Sequence, residues 1–176
     1  MNTRNDLGGL FESRGYKVAV EVGVLRGEFS DVILSSWSGK LLMVDRWAFA
    51  DGYQDISNVS NSQHKRHREA AEAVATRHGR GVIMQCTSRE AAESLEDSSV
   101  DAVYIDADHS KAAVLEDLAL WFPKVRRGGV ISGHDYLDGV LPEGVFGVRS
   151  AVLEFFGKEP DAVTGEPWPS WLVEVR

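Results

Sequence analysis

The stretch that decides the fold of this chain is Val18-Ala-Val-Glu-Val-Gly-Val-Leu-Arg-Gly27. Its first half, Val18–Val22, is a nearly unbroken apolar run, which predicts a strand covered on both faces of a sheet. The glycines that follow predict a turn, and the spacing of apolar residues after Gly27 is that of a helix. Ligands of open α/β sheets bind at the carboxyl ends of strands, so this turn is the first place to look for a site.

Similar apolar runs recur along the chain and alternate with stretches of helical spacing. They are Leu41–Val44, Val82–Met84, Val100–Ile105 and Val130–Ser132. This alternation predicts a doubly wound α/β fold with a mostly parallel sheet. Two short strands at the end, Asp161–Thr164 and Trp171–Val175, are joined without a helix, which predicts an antiparallel pair at the sheet edge. We therefore expect a seven-stranded sheet with an antiparallel last strand.

Three helix boundaries follow from local signals. Ser38-Gly39 is a plausible C-cap for the helix that follows the first strand. Thr87-Ser-Arg-Glu90 matches a capping box and predicts the start of a helix after the third strand. A further helix is expected around Val148–Phe156, after the last parallel strand.

Composition narrows the class of protein. The chain has 176 residues, a formal net charge of −8 and 43% hydrophobic residues, which predicts one globular domain over residues 1–176. The acidic balance disfavours binding to nucleic acid or to anionic membranes. Cys86 is the single cysteine, so an internal disulfide is excluded. With a polar first segment and no long apolar run, we expect a cytoplasmic protein.

The glycine turn distinguishes between two kinds of nucleoside cofactor. A dinucleotide fingerprint after Gly23 would need glycines where Leu25 and Glu28 stand, and Glu28 would place a carboxylate where the pyrophosphate must lie. The pattern is E-x-G-x-x-x-G instead. It resembles the first motif of the class I S-adenosylmethionine (SAM) methyltransferases, whose cofactor has no phosphate. The alternative is that Glu21 is satisfied by backbone and that the glycines only form a tight turn.

This resemblance assigns residues to the cofactor. It implies that Glu21 helps to hold the methionine end and that the turn approaches the cofactor through its backbone. The turn residues are Gly23, Val24, Leu25 and Gly27. Asp45 ends the second strand, where a carboxylate can accept both ribose hydroxyls, although the same position would serve NAD.

The residues after the second and third strands are candidates for the adenine site. Arg46 and Trp47 follow Asp45, and a flat side chain there could cover the adenine, while Trp47 could equally be a core residue. The resemblance implies polar contacts from Thr87 and Ser88 to the adenine amine. Thr87 departs from the family, in which Asp is commoner, and it could also be the helix cap.

An acidic cluster is expected at the tips of the fourth and fifth strands. The fourth strand delivers Asp106, Asp108 and His109, and the fifth delivers His134 and Asp135. Adjacent parallel strands lie about 4.8 Å apart, so these side chains can converge. Asp106, Asp135 and His134 could then hold a divalent cation. Alternatively, Asp106 lies beside the SAM sulfonium, and the two histidines are scaffold residues.

The same segments carry a closer resemblance. Ile105-Asp-Ala-Asp-His-Ser110, followed by Gly128-Gly-Val-Ile-Ser-Gly-His-Asp-Tyr136, is similar to the small O-methyltransferases related to catechol and macrolide-sugar O-methyltransferases. The resemblance runs from Val18 to Arg176 and implies their Rossmann-like fold. In metal-dependent members, an Asp and an acidic or amide pair at these positions bind Mg²⁺. His134 departs from that pattern, and an imidazole ligand suits a softer cation better.

The expected reaction is transfer of a methyl group from SAM to a hydroxyl of a small molecule. A hydroxyl must lose its proton, for which Asp108 is the first candidate base and His109 the second. The site could be covered by the Ala48–Arg68 insert, by a partner subunit in a homodimer, or by nothing. The basic run His64–Arg68 is interpreted as a solvated helix face, with a lid that attracts an anionic acceptor as the alternative. Two other functions stay open, a catalytically inactive SAM-binding protein and an NAD-dependent oxidoreductase.

Overall fold

The computed structural model describes residues 1–52 and 55–176. Its helices are α1 Leu7–Ser13, α2 Glu28–Ser36, α3 Asn61–His78, α4 Ser88–Glu93, α5 Lys111–Trp121 and α6 Val148–Phe156, with short 3-10 turns at Arg4–Asp6 and Phe122–Lys124. Its strands are β1 Val18–Val22, β2 Lys40–Asp45, β3 Gly81–Gln85, β4 Val100–Ile105, β5 Val125–Gly133, β6 Asp138–Leu141, β7 Gly144–Gly147, β8 Ala162–Val163 and β9 Trp171–Glu174.

Seven strands form one sheet in the order β3-β2-β1-β4-β5-β9-β8. Strands β1 to β5 are parallel, and β9 pairs antiparallel with both β5 and β8. The predicted α/β class and the antiparallel last strand are confirmed. Two clusters of buried apolar side chains cover the two faces of the sheet, which is why the central strands contain few polar residues.

The strand order reverses at β1, which lies between β2 and β4. Chain segments leaving the carboxyl ends of β1 and β4 therefore turn away from each other and leave a crevice between them. Every candidate residue of the sequence analysis lies at this edge of the sheet or in the turns that follow it. The topology thus decides where a site can form.

The C-cap prediction at Gly39 is wrong. Helix α2 ends at Ser36, and Trp37 is already extended, with its indole buried and donating to the carbonyl of Tyr16 at 3.0 Å. A Cβ on Gly39 would lie 2.0 Å from the Trp37 ring. A glycine is needed at position 39 because the Trp37 indole packs against it. The other two boundary predictions, the capping box at Thr87 and the helix Val148–Phe156, are confirmed.

A hairpin of β6 and β7 was not expected from the sequence. Its turn, Leu141-Pro-Glu-Gly144, is an ordinary hairpin signal between two apolar positions. The predicted loop Ala50–Asn61 has neither helix nor strand up to Ser60 in its described part, while residues 53–54 of that loop lie outside the described residues. No helix in the described part of the chain is long and apolar enough to cross a membrane.

Candidate active site

A crevice of about 850 Å³ opens at the carboxyl ends of the central strands. Most of the residues that the sequence indicated line it: Glu21, Gly23, Val24, Leu25, Asp45, Arg46, Thr87, Ser88, Asp106, Asp108 and His109. Four others do not line it: Gly27, Trp47, His134 and Asp135. The tertiary structure therefore gathers most of the predicted site residues around one cavity and leaves these four outside its lining.

The β1–α2 turn is built around Gly23 and Gly27, which both have positive φ, at +88° and +78°. A Cβ on Gly23 would lie 1.9 Å from the carbonyl oxygen of Asp106, so this position brings the ends of β1 and β4 together. A Cβ on Gly27 would lie 3.0 Å from the Cα of Ala71 in α3. Gly27 thus packs against a helix, and its assignment to the cofactor is not supported by the geometry.

Glu21 is the most buried carboxylate on the crevice wall. Its side chain is 1% exposed and accepts a hydrogen bond of 2.5 Å from the Ser30 hydroxyl. Burial, reinforced by Asp106 and Asp45, raises the pKa of Glu21 to about 8. The side chain of Ser30 is thus a partner of Glu21, which differs from the alternative in which backbone N–H groups satisfy it.

Asp45 holds the backbone around it. One carboxylate oxygen accepts from the N–H groups of Val24 at 3.1 Å and Leu25 at 2.9 Å, and the other accepts from Trp47 at 2.7 Å. Leu25 and Trp47 both have positive φ, at 50° and 42°, which is uncommon for side chains of this size. The carboxylate of Asp45 stabilises both strained residues.

Trp47 is a core residue. Its indole is 3% exposed and donates at 2.7 Å to the carbonyl of Leu25. The ring lies below the β1–α2 turn and does not line the crevice. Trp47 thus fits the alternative of a core residue, because its indole is buried and its N–H is bound to backbone.

The β3–α4 end of the crevice contains a network that the sequence did not reveal. Thr87 caps α4 through Glu90, as its capping-box pattern predicts. The Ser88 hydroxyl accepts at 2.8 Å from the indole of Trp121 and donates to Asp117 of α5. Asp117 is 6% exposed and lines the crevice. Burial raises its pKa to about 6, and the charges that act on it, Glu116 and Asp108, are both acidic.

At the tips of β4 and β5, one imidazole lies among three carboxylates. The Nε2 atom of His109 is 3.0 Å from Asp135 and 3.5 Å from Asp106, and its Nδ1 atom is 3.4 Å from Asp55. Burial alone would lower the pKa of His109, but its hydrogen bonds to these carboxylates outweigh burial and raise the pKa to about 11. The imidazole is therefore a cation in this arrangement, and it would have to lose a proton before acting as a base.

Asp106, His134 and Asp135 can supply a divalent cation with ligands. Each offers one ligand atom, and these atoms lie within 4.8 Å of one another. The Oδ1 atom of Asp135 lies 2.9 Å from the Nδ1 atom of His134, and Asp135 has a φ of 51°, a conformation that Asp tolerates better than most side chains. Buried carboxylate and imidazole atoms held this close together fit the donor set of a cation site. The donor set of two carboxylates and one imidazole suits transition metals as well as Mg²⁺.

Asp108 faces the crevice from the same loop. One of its oxygens accepts at 2.8 Å from the backbone N–H of Ser110, just before α5 begins. That bond orients the carboxylate and leaves its second oxygen available as an acceptor. Asp108 therefore keeps the position expected of a base beside Asp106.

Arg4 is a crevice residue that sequence reasoning missed. Its guanidinium lies 3.4 Å from Asp106 and 4.8 Å from the centre of the Phe29 ring. The backbone N–H of Arg4 donates to Glu166 at 2.8 Å, which fixes the first residues of the chain to the β8–β9 loop. No local pattern could reveal this contact, because the two segments are 162 positions apart.

The charge of the crevice wall favours SAM over NAD as the cofactor. The described lining includes nine carboxyl groups and four guanidinium groups. With Glu21 protonated near neutral pH and His109 a cation, eight carboxylates still face five positive groups, and Asp106 lies at the tip of β4. Such a wall attracts a cationic ligand and repels a pyrophosphate. An NAD-dependent oxidoreductase is therefore disfavoured on electrostatic as well as on sequence grounds.

Comparisons with known proteins agree with this geometry. The fold is similar to a putative O-methyltransferase from Klebsiella pneumoniae (23% identity, TM-score 0.68, covering 98% of this chain and 79% of that one). It is also similar to the O-methyltransferase TomG from Streptomyces achromogenes, solved with SAM (15% identity, TM-score 0.67, 98% and 79% covered). A third is a putative rRNA methylase from Clostridium thermocellum (15% identity, TM-score 0.63, 99% and 97% covered).

Structural likeness at this level of identity establishes the fold and leaves the acceptor open. No curated protein sequence matches the chain. A family profile described as a methyltransferase domain matches residues 20–136, about two thirds of the chain, from β1 to the tip of β5. This chain therefore belongs to the methyltransferase-domain family.

Proposed function

We propose that the protein transfers a methyl group from SAM to a hydroxyl of a small molecule. The observation that carries this proposal is the crevice itself, in which carboxylates from β1, β2 and β4 surround a glycine turn that has no free anion site. SAM is a net cation, because its sulfonium and ammonium outweigh its carboxylate. An acidic crevice is the electrostatic complement of such a ligand.

The order of the strands supports one orientation of the cofactor in this proposal. Its methionine end lies over the tips of β1 and β4, where Glu21 and Asp106 face the ammonium and Arg4 faces the carboxylate. Its ribose lies at Asp45, and its adenine extends towards Ser88 and Asp117. Buried Asp117 then accepts a hydrogen bond from the exocyclic amine of adenine, the role that Thr87 was expected to share.

The chemistry of the protein consists of alignment and proton removal. Methyl transfer is an in-line displacement, so the main task of the enzyme is to hold the acceptor oxygen opposite the sulfonium. Asp108 is positioned to take the hydroxyl proton, and His109 can do so only as the neutral imidazole. A neutral His109 requires another positive charge to replace its own beside Asp106 and Asp135.

A divalent cation would meet that requirement. Asp106, His134 and Asp135 would hold it, and it would lower the pKa of an acceptor hydroxyl at the same edge of the crevice. The imidazole of His109 lines this end and stacks on the buried ring of Phe146, with centroids 4.9 Å apart, which favours an acceptor with a flat apolar part.

A small acceptor fits this chain better than a nucleic acid. The net charge of −8 and the carboxylates around the crevice would repel a phosphate backbone. The free thiol of Cys86 is compatible with a reducing compartment, and we propose a cytoplasmic location. The homodimer considered above remains part of this proposal as one way to cover the acceptor end.

Calorimetry is the direct test. We expect S-adenosylhomocysteine (SAH) and SAM to bind and NAD not to bind. Turnover on a panel of hydroxylated small molecules, with and without Mg²⁺, then tests the acceptor class. Binding of NAD with no binding of SAH would overturn the proposed function, and tight SAH binding without turnover on any acceptor would favour an inactive binding protein.

A further inference from the structure

His64 is a buried histidine on the crevice wall, and its ring has no hydrogen-bond partner in the part of the chain that the structure describes. It belongs to the basic run His64–Arg68, which was interpreted as a solvated helix face. Lys65 and Arg68 fit that interpretation, because they form ion pairs with Glu69 and Glu72 on the outside of α3. His64 does not, since it is only 7% exposed and lines the crevice.

The ring of His64 has two polar atoms to satisfy. Both Nδ1 and Nε2 are buried without a hydrogen-bond partner within the described residues. Burial lowers the pKa of His64, despite the opposing effect of the nearby Asp45 carboxylate. A neutral imidazole offers one N–H donor and one acceptor nitrogen. Buried polar atoms without partners are rare in folded proteins and, on a cavity wall, point to a ligand.

The hydrogen bonds that Asp45 already accepts show why a ribose beside it needs a second partner on the protein. A carboxylate has about four acceptor positions. Three are occupied by the N–H groups of Val24, Leu25 and Trp47, which leaves about one. Asp45 was expected to accept both ribose hydroxyls, but it has room for one. A ribose at Asp45 therefore needs a second polar partner at the same place.

We propose that His64 is that partner, and that its imidazole bonds one ribose hydroxyl of the cofactor while Asp45 bonds the other. This inference rests on the proposed function, because it assumes a ribose in the crevice. It explains a buried histidine in an otherwise exposed basic run. It also assigns the first turns of α3, which form the last part of the Ala48–Arg68 insert, to cofactor binding.

The test compares SAH with its 2′-deoxy and 3′-deoxy analogues by calorimetry. Wild type is expected to bind each analogue about tenfold more weakly than SAH, the effect of one lost hydrogen bond in a desolvated site. His64→Ala should bind SAH about tenfold more weakly than wild type and should no longer distinguish SAH from one of the analogues, while still distinguishing it from the other, whose missing hydroxyl is the one bonded by Asp45. His64→Gln keeps a donor and an acceptor and should recover part of the affinity.

His67→Ala is the matched control. His67 lies one turn further along α3, with its ring centroid 6.1 Å from that of His64, and does not line the crevice. It should bind all three ligands as wild type does. Equal weakening of SAH and both analogues by His64→Ala, or no weakening, would overturn the inference alone. Failure of wild type to bind SAH would overturn the proposed function and the inference with it.

Discussion

The two ends of the crevice satisfy their polar groups in different ways. At the β1–β2 end, Asp45 accepts three backbone N–H groups from its own and the neighbouring turn. At the β4–β5 end, His109 faces carboxylates from three separate segments, and Asp135 lies between two imidazoles, 3.0 Å from His109 and 2.9 Å from His134. The first end is held by neutral backbone groups, whereas the second is held by charged side chains whose balance a bound cation or substrate would change.

The largest expected effect on activity is at the β4–β5 end. If this end performs the chemistry, His109→Ala should lower the turnover number for methyl transfer by about a thousandfold, because it removes the second candidate base and the charge that balances Asp106 and Asp135 beside Asp108. Affinity for SAH should change far less. Steady-state kinetics beside calorimetry measure both, with His67→Ala as the control. Full turnover in His109→Ala would show that the charged groups at the β4–β5 end are not needed for methyl transfer.

The next effect concerns the pH dependence of stability at Glu21. Its folded-state pKa is raised by burial from 4.5 to about 8. The unfolded chain loses the proton near pH 4.5 while the folded protein keeps it, so the free energy of unfolding falls between about pH 4.5 and pH 8. Glu21→Gln has no such loss and should exceed wild type by about 5 kcal/mol at pH 9, with little difference at pH 4.

Urea unfolding of the cofactor-free protein at both pH values measures this difference. Glu28→Gln, an exposed carboxylate at the start of α2, is the control and should show none of it. A pH-independent difference between Glu21→Gln and wild type would mean that Glu21 is ionised in the folded protein.

A smaller effect tests whether Asp45 stabilises the backbone at the β1–β2 end of the crevice. Asp45→Ala leaves the N–H groups of Val24, Leu25 and Trp47 without their acceptor and should lower the free energy of unfolding by about 2 kcal/mol in the cofactor-free protein. Asp51→Ala removes an exposed carboxylate from the same crevice and should have no effect. If both variants are as stable as wild type, Asp45 is not a structural residue of the turn.

The smallest effect concerns the adenine. Asp117→Asn replaces an acceptor by a group that can also donate, so it should weaken SAH binding about tenfold and improve binding of S-inosylhomocysteine, whose base presents an oxygen in place of the amine. Glu116→Gln, on the neighbouring position of α5, should leave the preference for SAH unchanged. An unchanged preference in Asp117→Asn would place the adenine elsewhere.

Sequence periodicity was sufficient for the strands and for most of the helices. The boundaries of β1, β4 and α6 agree with the predicted runs, because buried parallel strands and capped helices are encoded by neighbouring residues. The hairpin β6–β7 was missed although its turn is local. Gly39 was misread, because its role is to make room for the Trp37 ring, which is a packing effect.

The chain itself determined the class of site: a strand–glycine–helix turn, a carboxylate at the end of β2, and acidic and imidazole groups after β4 and β5. These features follow from spacing along the chain, because residues that come directly after parallel strands all lie at the same edge of the sheet. Only the tertiary structure decided that Trp47 and Gly27 serve packing and that Asp45 is mostly occupied by backbone. It also decided that Arg4, His64 and Asp117 face the crevice, because these contacts join segments that no local pattern relates.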